Sequence, residues 1–157
     1  MTTQPGPQSR DPLPGDAGTP PASPLARTAP ALRAALRIGA GLLFMQHGAQ
    51  KLLGWFGGFG PDGGTAPLLS QMGLAGVLEL VGGLLIVIGL LTRPVALILF
   101  VEMLWAYFQA HLPQGLAPIR NGGELALLYA LIWLYFAAAG AGPASVDAAI
   151  GARRGAS

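Results

Sequence analysis

Four long apolar stretches, separated by short polar or glycine-rich connections, dominate the pattern of this chain. They run over about Leu36–Leu53, Met72–Leu91, Pro94–His111 and Gly122–Gly140. Each is close to the roughly 20 residues that an α-helix needs to cross the hydrocarbon core of a bilayer. Their apolar residues are bunched rather than periodic, which is typical of membrane spans and not of a water-soluble core. We therefore predict an all-α polytopic membrane protein, a bundle of four transmembrane helices.

The composition points the same way and excludes several classes of site. Of the 157 residues, 52% are hydrophobic and only 10% are charged, whereas soluble domains carry about 25% charged residues. The formal net charge is +2, and no run of basic residues indicates a nucleic-acid partner. Because cysteine is absent, the sequence excludes disulfides, thiol redox chemistry and Cys-ligated metal or iron–sulfur sites.

The segments outside the spans divide the chain into three parts. Residues 1–31 are rich in Pro, Gly, Ser and Thr, which predicts a disordered tail that is not a cleaved signal peptide. Residues 32–142 form the membrane domain, and residues 143–157 form a short polar tail with one helical turn after Ser145. In the short turn between the second and third spans, Thr92 is expected to cap the next helix.

The basic residues outside the spans are distributed unevenly between the two sides of the predicted bundle. One side carries most of the arginines, namely Arg27, Arg33, Arg37, Arg93, Arg153 and Arg154. The opposite loops carry Lys51 at one edge, and Arg120. Because cytoplasmic loops carry the excess of Lys and Arg, we predict that both termini are cytoplasmic. The chain is then a multi-pass protein of the cell inner membrane, with the lipid bilayer as its surroundings.

Charged and polar residues inside or at the rim of the spans are the candidate functional groups, namely His47, Lys51, Glu79, Glu102, His111, Asn121 and Glu124. A charge within a spanning helix costs a few kcal/mol on insertion scales and normally faces a bundle interior. At about 1.5 Å per residue, His47 lies roughly 16 Å from the inner edge, Glu79 roughly 10 Å below the outer surface, and Glu102 near mid-membrane. The polar groups of all four spans therefore gather in the outer half, which predicts one shared pocket that opens outward.

Within this pocket we predict that Glu79, His47 and Glu102 are the catalytic residues, with Glu79 as a proton acceptor and His47 as a hydrogen-bond donor to the ligand. The predicted ligand-binding residues are Lys51, Trp105, His111, Asn121 and Glu124. No metal site is predicted, because no helix carries the E-x-x-H spacing of a metal-binding pair.

Several of these residues also have a structural explanation, and both alternatives stay open from the sequence. Glu79 could form a buried ion pair with Lys51, or Lys51 could extend to the outer interface. His47 could be a core histidine that is hydrogen-bonded to a neighbour. Asn121-x-x-Glu124 has the spacing of a capping box at the start of the fourth span.

Five motifs in order along the chain are similar to those of DoxX-family membrane proteins. They are R-x-G-x-G-x-x-F-x-x-H-G-x-x-K-L from Arg37, E-L-x-G-G-x-x-x-x-x-G-L-x-T-R from Glu79, M-x-x-A…H at Met103, Ala106 and His111, N-G-G-E-L-A-L-L-Y from Asn121 and G-x-G-x-x-S-x-D from Gly140. The resemblance covers about residues 33–150 and implies a four-helix membrane protein. The family takes its name from a subunit associated with a thiosulfate:quinone oxidoreductase, and other members look like partners of membrane-linked redox-defence complexes.

The pocket and the resemblance together favour a membrane subunit of a quinone-linked redox complex. Quinone is then the expected ligand, and a redox partner protein is needed because the chain carries no evident electron-transfer centre of its own. Whether the chain itself is an oxidoreductase stays open, as does a homo-oligomer. A non-catalytic membrane scaffold or assembly partner and a transporter of a small solute or protons are the alternatives.

Overall fold

The computed structural model describes residues 23–155, and this part of the chain is all-α, with one isolated β-bridge between Phe59 and Gly64. Most of the predicted disordered tail, residues 1–22, lies outside the described residues. Four helical segments form the body of the fold. We name them the first segment (α1, Pro24–Leu53), the second segment (Gln71–Ile88), the third segment (Thr92–Gln114) and the fourth segment (α6, Glu124–Ala139).

Two of these segments are interrupted by short π-helical turns. The second segment consists of α2 (Gln71–Val77), a π turn (Leu78–Gly82) and α3 (Gly83–Ile88). The third consists of α4 (Thr92–Ala106), a π turn (Tyr107–His111) and a 3₁₀ turn (Leu112–Gln114). The short helices are a 3₁₀ turn at Trp55–Gly57, α5 at Pro118–Asn121 and α7 at Val146–Arg154. All four predicted spans therefore correspond to helical segments.

The prediction that disorder extends to residue 31 is wrong for the part that the structure describes, because α1 begins at Pro24. The Ser23 hydroxyl accepts a hydrogen bond from the Ala26 N–H, which supplies an N-cap. The sequence that follows is rich in Ala, Leu and Arg, residues with high helix propensity. The first segment is consequently one helix of 30 residues that extends beyond the predicted span.

The expected N-cap role of Thr92 is also wrong. Leu91, in the left-handed conformation, precedes the helix, and Thr92 is its first residue. The carboxylate of Asp147 supplies the cap instead, since it accepts hydrogen bonds from the N–H groups of Leu91 at 2.8 Å and Thr92 at 2.9 Å. Ser145 in turn caps α7, which has nine residues where the sequence predicted a single turn.

The four segments share one core, to which each contributes large apolar side chains. Phe44, Ile86, Leu99, Trp133 and Phe136 are almost fully buried in it. The first segment packs against the second, the third packs against the fourth, and the second and third are in contact. Aromatic contacts join the first and fourth segments, since the Phe44 and Trp133 ring centroids are 5.1 Å apart.

Glycines allow the first and second segments to approach closely. A Cβ atom at Gly48 would lie 2.5 Å from the Leu80 backbone nitrogen, and one at Gly83 would lie 2.6 Å from Met45 Cγ. At Gly48 the facing atom is backbone, so only glycine fits there, and small residues of this kind are the usual basis of close helix packing in membranes.

A cluster of hydrogen bonds ties the chain together at one end, which we name the arginine end. The buried guanidinium of Arg37 donates to the carbonyls of Ile86 at 2.5 Å, Val87 at 2.6 Å and Ala144 at 2.6 Å. Arg33 donates to the carbonyl of Gly140 at 2.7 Å and to that of Ala139. The end of the second segment and the chain after the fourth are thus held against the first.

The surface of the helical body is strongly apolar. Large exposed side chains include Leu43, Val81, Leu97, Val101 and Leu131. Two helices, Gln71–Ile88 and Thr92–Gln114, are long and apolar enough to cross a membrane, and Glu124–Ala139 is a shorter apolar helix. Apolar surface of this extent is unusual for a protein in water and is typical of contact with lipid.

Candidate functional site

A cavity of about 830 Å³ lies within the helical body, toward the end opposite the arginine end. All four segments contribute to its walls, which are mainly apolar. Its polar lining residues are His47, Lys51, Gln71, Glu79, Glu102, Gln109 and His111. Six of the eight predicted site residues lie on it, namely His47, Lys51, Glu79, Glu102, Trp105 and His111. Residues that were predicted to lie together from their depth along the helices therefore do line one cavity.

Lys51 and Glu79 form a buried ion pair on the wall of this cavity. The Lys51 Nζ atom donates to both carboxylate oxygens of Glu79, at 2.7 Å and 2.6 Å. Their side chains are 16% and 6% exposed. Glu79 lies in the π turn of the second segment, and Lys51 lies in the last turn of α1. The alternative in which Lys51 extends to the interface is therefore wrong, and the ion-pair alternative is confirmed.

Glu102 has no such partner. Both of its carboxylate oxygens are buried, and neither forms a hydrogen bond with any other described residue. The side chain comes from α4 and lines the same cavity as the Lys51–Glu79 pair. An unpaired carboxyl group in apolar surroundings is costly, so this side chain needs a proton or a bound partner that the protein itself does not supply.

His47 faces the cavity one helical turn before Lys51 on the same side of α1. Within residues 23–155 its ring makes no hydrogen bond, and its neighbour is the Tyr129 ring, edge-on at a centroid distance of 6.1 Å. The alternative of a hydrogen-bonded core histidine is therefore wrong. The imidazole can donate or accept a hydrogen bond toward the cavity.

His111 and Trp105 lie on the border of the cavity. The Nδ1 atom of His111 lies 2.9 Å from the Asn121 carbonyl oxygen, and its ring stacks on Tyr107 at a centroid distance of 6.3 Å. Both contacts fix the imidazole at the end of the third segment. Trp105 is 61% exposed and forms part of the cavity edge on the outer surface of α4.

The structure does not bring Asn121 and Glu124 to the cavity. The buried Asn121 amide donates to the Gly115 carbonyl at 2.7 Å and accepts from the Gly123 N–H at 2.8 Å, which organises the loop before α6. Glu124 is exposed. The capping-box alternative is wrong as well, because Gly123 is the residue that precedes α6 and no side chain caps it.

Two features of the site were missed by the sequence analysis. Gln71 lines the cavity, and its amide donates to the Gln109 side chain across the gap between the second and third segments. The two π turns are the second feature, and they carry Glu79 and His111. Such turns often occur at functional sites, but no residue pattern in LELVG or YFQAH distinguishes a π turn from an α-helix.

No three His, Asp or Glu side chains within residues 23–155 converge closely enough to hold a metal ion. The polar groups of the cavity instead comprise a satisfied ion pair, an imidazole and an unpartnered carboxyl group. With apolar walls around them, they can hold an amphipathic molecule and exchange hydrogen bonds or protons with its polar part.

Comparison with known proteins gives one family and one uncharacterised relative. The profile of the DoxX family matches residues 32–112. The chain is also similar to an uncharacterized protein of Haemophilus influenzae (strain ATCC 51907 / DSM 11121 / KW20 / Rd), with 45% identity over 125 residues, 75% of this chain and 90% of the relative. No solved structure matches the chain.

Proposed function

This chain belongs to the DoxX family of membrane proteins, and from that premise we propose that it is a multi-pass protein of the cell membrane. In this proposal the four segments cross the bilayer as a four-helix bundle with both termini in the cytoplasm. The exposed apolar side chains on all four segments support it. So does the arginine end, where Arg33 and Arg37 hold the ends of the second and fourth segments and Arg93 lies beside Gly140.

We propose further that the protein is the membrane subunit of a quinone-linked redox complex and that its cavity binds the quinone. The observation that carries this proposal is the buried, unpartnered carboxyl group of Glu102 on the wall of the cavity. A group of this kind lowers the stability of the fold, so its presence beside an apolar cavity is explained by a ligand that satisfies it.

The other groups of the cavity fit the two ends of such a ligand. The apolar walls suit a ring and a hydrocarbon chain, and His47 can donate a hydrogen bond to a ring oxygen. Glu102 and the Lys51–Glu79 pair can carry the protons that accompany quinone reduction. Since the chain has no cysteine and no evident redox centre, the electrons come from a partner protein.

The test is quinone binding by purified protein in nanodiscs, measured by titration with a benzoquinone and a naphthoquinone and by native mass spectrometry. Glu102→Leu is expected to weaken binding at least ten-fold, about 1.4 kcal/mol. The same variant should unfold at the wild-type temperature or above, because an apolar side chain replaces an unsatisfied buried carboxyl group.

Glu124→Leu is the matched control, since this glutamate is exposed and lies away from the cavity. It should bind quinone as the wild type does. Equal affinity of the wild type and Glu102→Leu, or no saturable binding by the wild type, would contradict the proposal.

A non-catalytic scaffold is the second candidate, and the Lys51–Glu79 pair favours it. The two side chains satisfy each other at 2.6 Å without any ligand, as expected of a contact that only holds helices together. In this case Glu79→Leu lowers stability, Glu102→Leu raises it, and neither change affects quinone binding because none occurs.

A further inference from the structure

The cavity reaches the lateral surface of the molecule between the second and third segments. The side chains that line it there are exposed and apolar, namely Leu74, Leu78, Leu97, Ile98, Val101 and Trp105. In the proposed topology this surface lies against lipid acyl chains. The cavity is thus open to the hydrocarbon region of the bilayer, and the side chains around its opening are in contact with lipid.

Two contacts bound this opening along the helices. Near the middle of the second segment, a Cβ atom at Gly82 would lie 2.8 Å from Leu99 Cδ2, so the two segments touch there. At the end opposite the arginine end, Gln71 donates its hydrogen bond to Gln109. We name the gap between these two contacts the lateral slit.

Two small side chains lie among the larger ones between the boundaries of the lateral slit. Ala75 of the second segment lies four residues before Glu79, Ala106 of the third lies four residues after Glu102, and both line the cavity. Because alanine is small, these positions leave more space between the two segments beside Glu102 than larger side chains would.

We infer that the ligand enters the cavity from the bilayer through the lateral slit, and that it is a lipid-soluble molecule with a polar head and an apolar chain. The head reaches Glu102, and the chain lies along the exposed leucines of the slit. The Gln71–Gln109 hydrogen bond closes the end of the slit and limits its width. The nature of the head rests on the proposed function, whereas the route is tested independently of it.

The chemistry of the walls separates this ligand from a water-soluble one. A polar solute crossing the slit would lose its hydrogen bonds to water and meet mainly apolar side chains between the two boundary contacts. A hydrocarbon chain crosses it without such a loss. The volume of about 830 Å³ lies toward the upper end of the range of about 300–1,000 Å³ for small-molecule sites, which leaves room for part of a chain beside a ring.

Spin labels test whether the slit faces lipid, and the absence of native cysteine makes single labels straightforward. Labels at Ala75→Cys and Ala106→Cys in nanodiscs should collide frequently with oxygen, which dissolves in lipid, and rarely with a polar nickel chelate. Leu131→Cys, on the outer surface of α6, is the lipid control. Leu116→Cys, 85% exposed in the loop before α5, is the water control.

Collisions with the nickel chelate at the rate of Leu116→Cys would overturn the inference in favour of entry from water. Protection from both oxygen and nickel would overturn it in favour of a covered surface, as in contact with a second copy of the chain. Oxygen access with no quinone binding would contradict the proposed function and leave the lateral opening intact.

A reversible cross-link tests the role of the Gln71–Gln109 contact in entry. The two glutamine side chains meet at their terminal amides, so cysteines at these positions need a short bifunctional methanethiosulfonate reagent to join them, because a direct disulfide requires Cα atoms within about 7 Å. In the double variant Gln71→Cys/Gln109→Cys, cross-linking should slow the association of a long-chain isoprenoid quinone at least ten-fold, and reduction should restore the rate. Each single variant, treated with the same reagent, is the control. Equal association rates for the cross-linked and reduced double variant would overturn entry through the slit.

Discussion

At the scale of single residues, Asp147 shapes a helix end that lies far from it in sequence. Its carboxylate accepts two backbone N–H groups at the start of α4 although it lies 55 residues further along the chain than Thr92. Its own N–H donates to the Gly89 carbonyl at 2.9 Å. One side chain thus holds the turn between the second and third segments to the C-terminal part of the chain.

These contacts make Asp147 a source of pH-dependent stability. Partial burial opposes the charged form, but the hydrogen bonds from the Thr92 and Leu91 N–H groups outweigh it and lower the pKa of Asp147. A carboxyl group whose pKa is lower in the folded state stabilises the fold above its unfolded pKa, near 3.9, and loses this effect as the pH falls through the folded value.

We therefore expect Asp147→Asn to lower the stability at neutral pH by about 1–2 kcal/mol, the typical value of a helix cap. The loss should shrink as the pH falls below about 4, where the carboxyl group takes up a proton in the unfolded chain, and it should vanish once the pH is below the lowered pKa of Asp147 in the folded state. Thermal unfolding in detergent between pH 3 and pH 7 measures both effects. Asp62→Asn, in the exposed loop 54–70, is the control. A pH-independent difference between wild type and Asp147→Asn would contradict this account.

At the scale of helices, glycines let the backbones of the first and second segments approach each other closely. A Cβ atom at Gly48 would lie 2.5 Å from the Leu80 nitrogen and 2.7 Å from the Gly76 carbonyl oxygen. Gly39 lies on the same helix, two to three turns earlier, where a Cβ atom would meet nothing within 4 Å. The two glycines are thus a matched pair that differ in packing and not in helical context.

Gly48→Ala is expected to destabilise the fold by about 1–3 kcal/mol, the usual cost of overpacking, because the added methyl group meets rigid backbone on the facing helix. Gly39→Ala should be neutral or stabilising by up to about 1 kcal/mol, since alanine has the higher helix propensity. Unfolding by increasing sodium dodecyl sulfate, followed by circular dichroism, compares them. Equal effects of the two changes would show that the close approach at Gly48 does not contribute to packing.

The helical segments could be predicted because length and apolar composition decide them locally. The depth of a residue along a helix can be estimated without knowing how the helices pack. The prediction that His47, Glu79 and Glu102 lie together therefore agrees with the structure. The partners of polar groups could not be predicted this way. The Asp147 cap joins residues far apart in sequence, and the inward or outward direction of Glu124 depends on how α6 rotates against its neighbours.

At the scale of the whole molecule, the arginine end defines an orientation. The Arg33 and Arg37 side chains hold the chain after the fourth segment, so the ends of the first and fourth segments that continue toward the termini lie on one side. Basic residues favour the cytoplasmic side of a membrane. In the proposed topology, the loops at the opposite end, which include residues 54–70 and 115–123, face the other compartment.

Single-cysteine variants test this orientation, since the chain has no other thiol. A membrane-impermeant maleimide applied to intact spheroplasts should label Leu116→Cys and Asp62→Cys, in the two loops opposite the arginine end. It should label Ala152→Cys in α7 only after the membrane is permeabilised. All three positions are exposed, so unequal labelling reports the side of the membrane rather than burial. Labelling of Ala152→Cys in intact spheroplasts, with protection of Leu116→Cys, would reverse the topology.

A reversed topology would leave the lateral slit and the Glu102 carboxyl group in the same position relative to the lipid. That position depends on the lateral surface of the molecule and not on which end faces the cytoplasm.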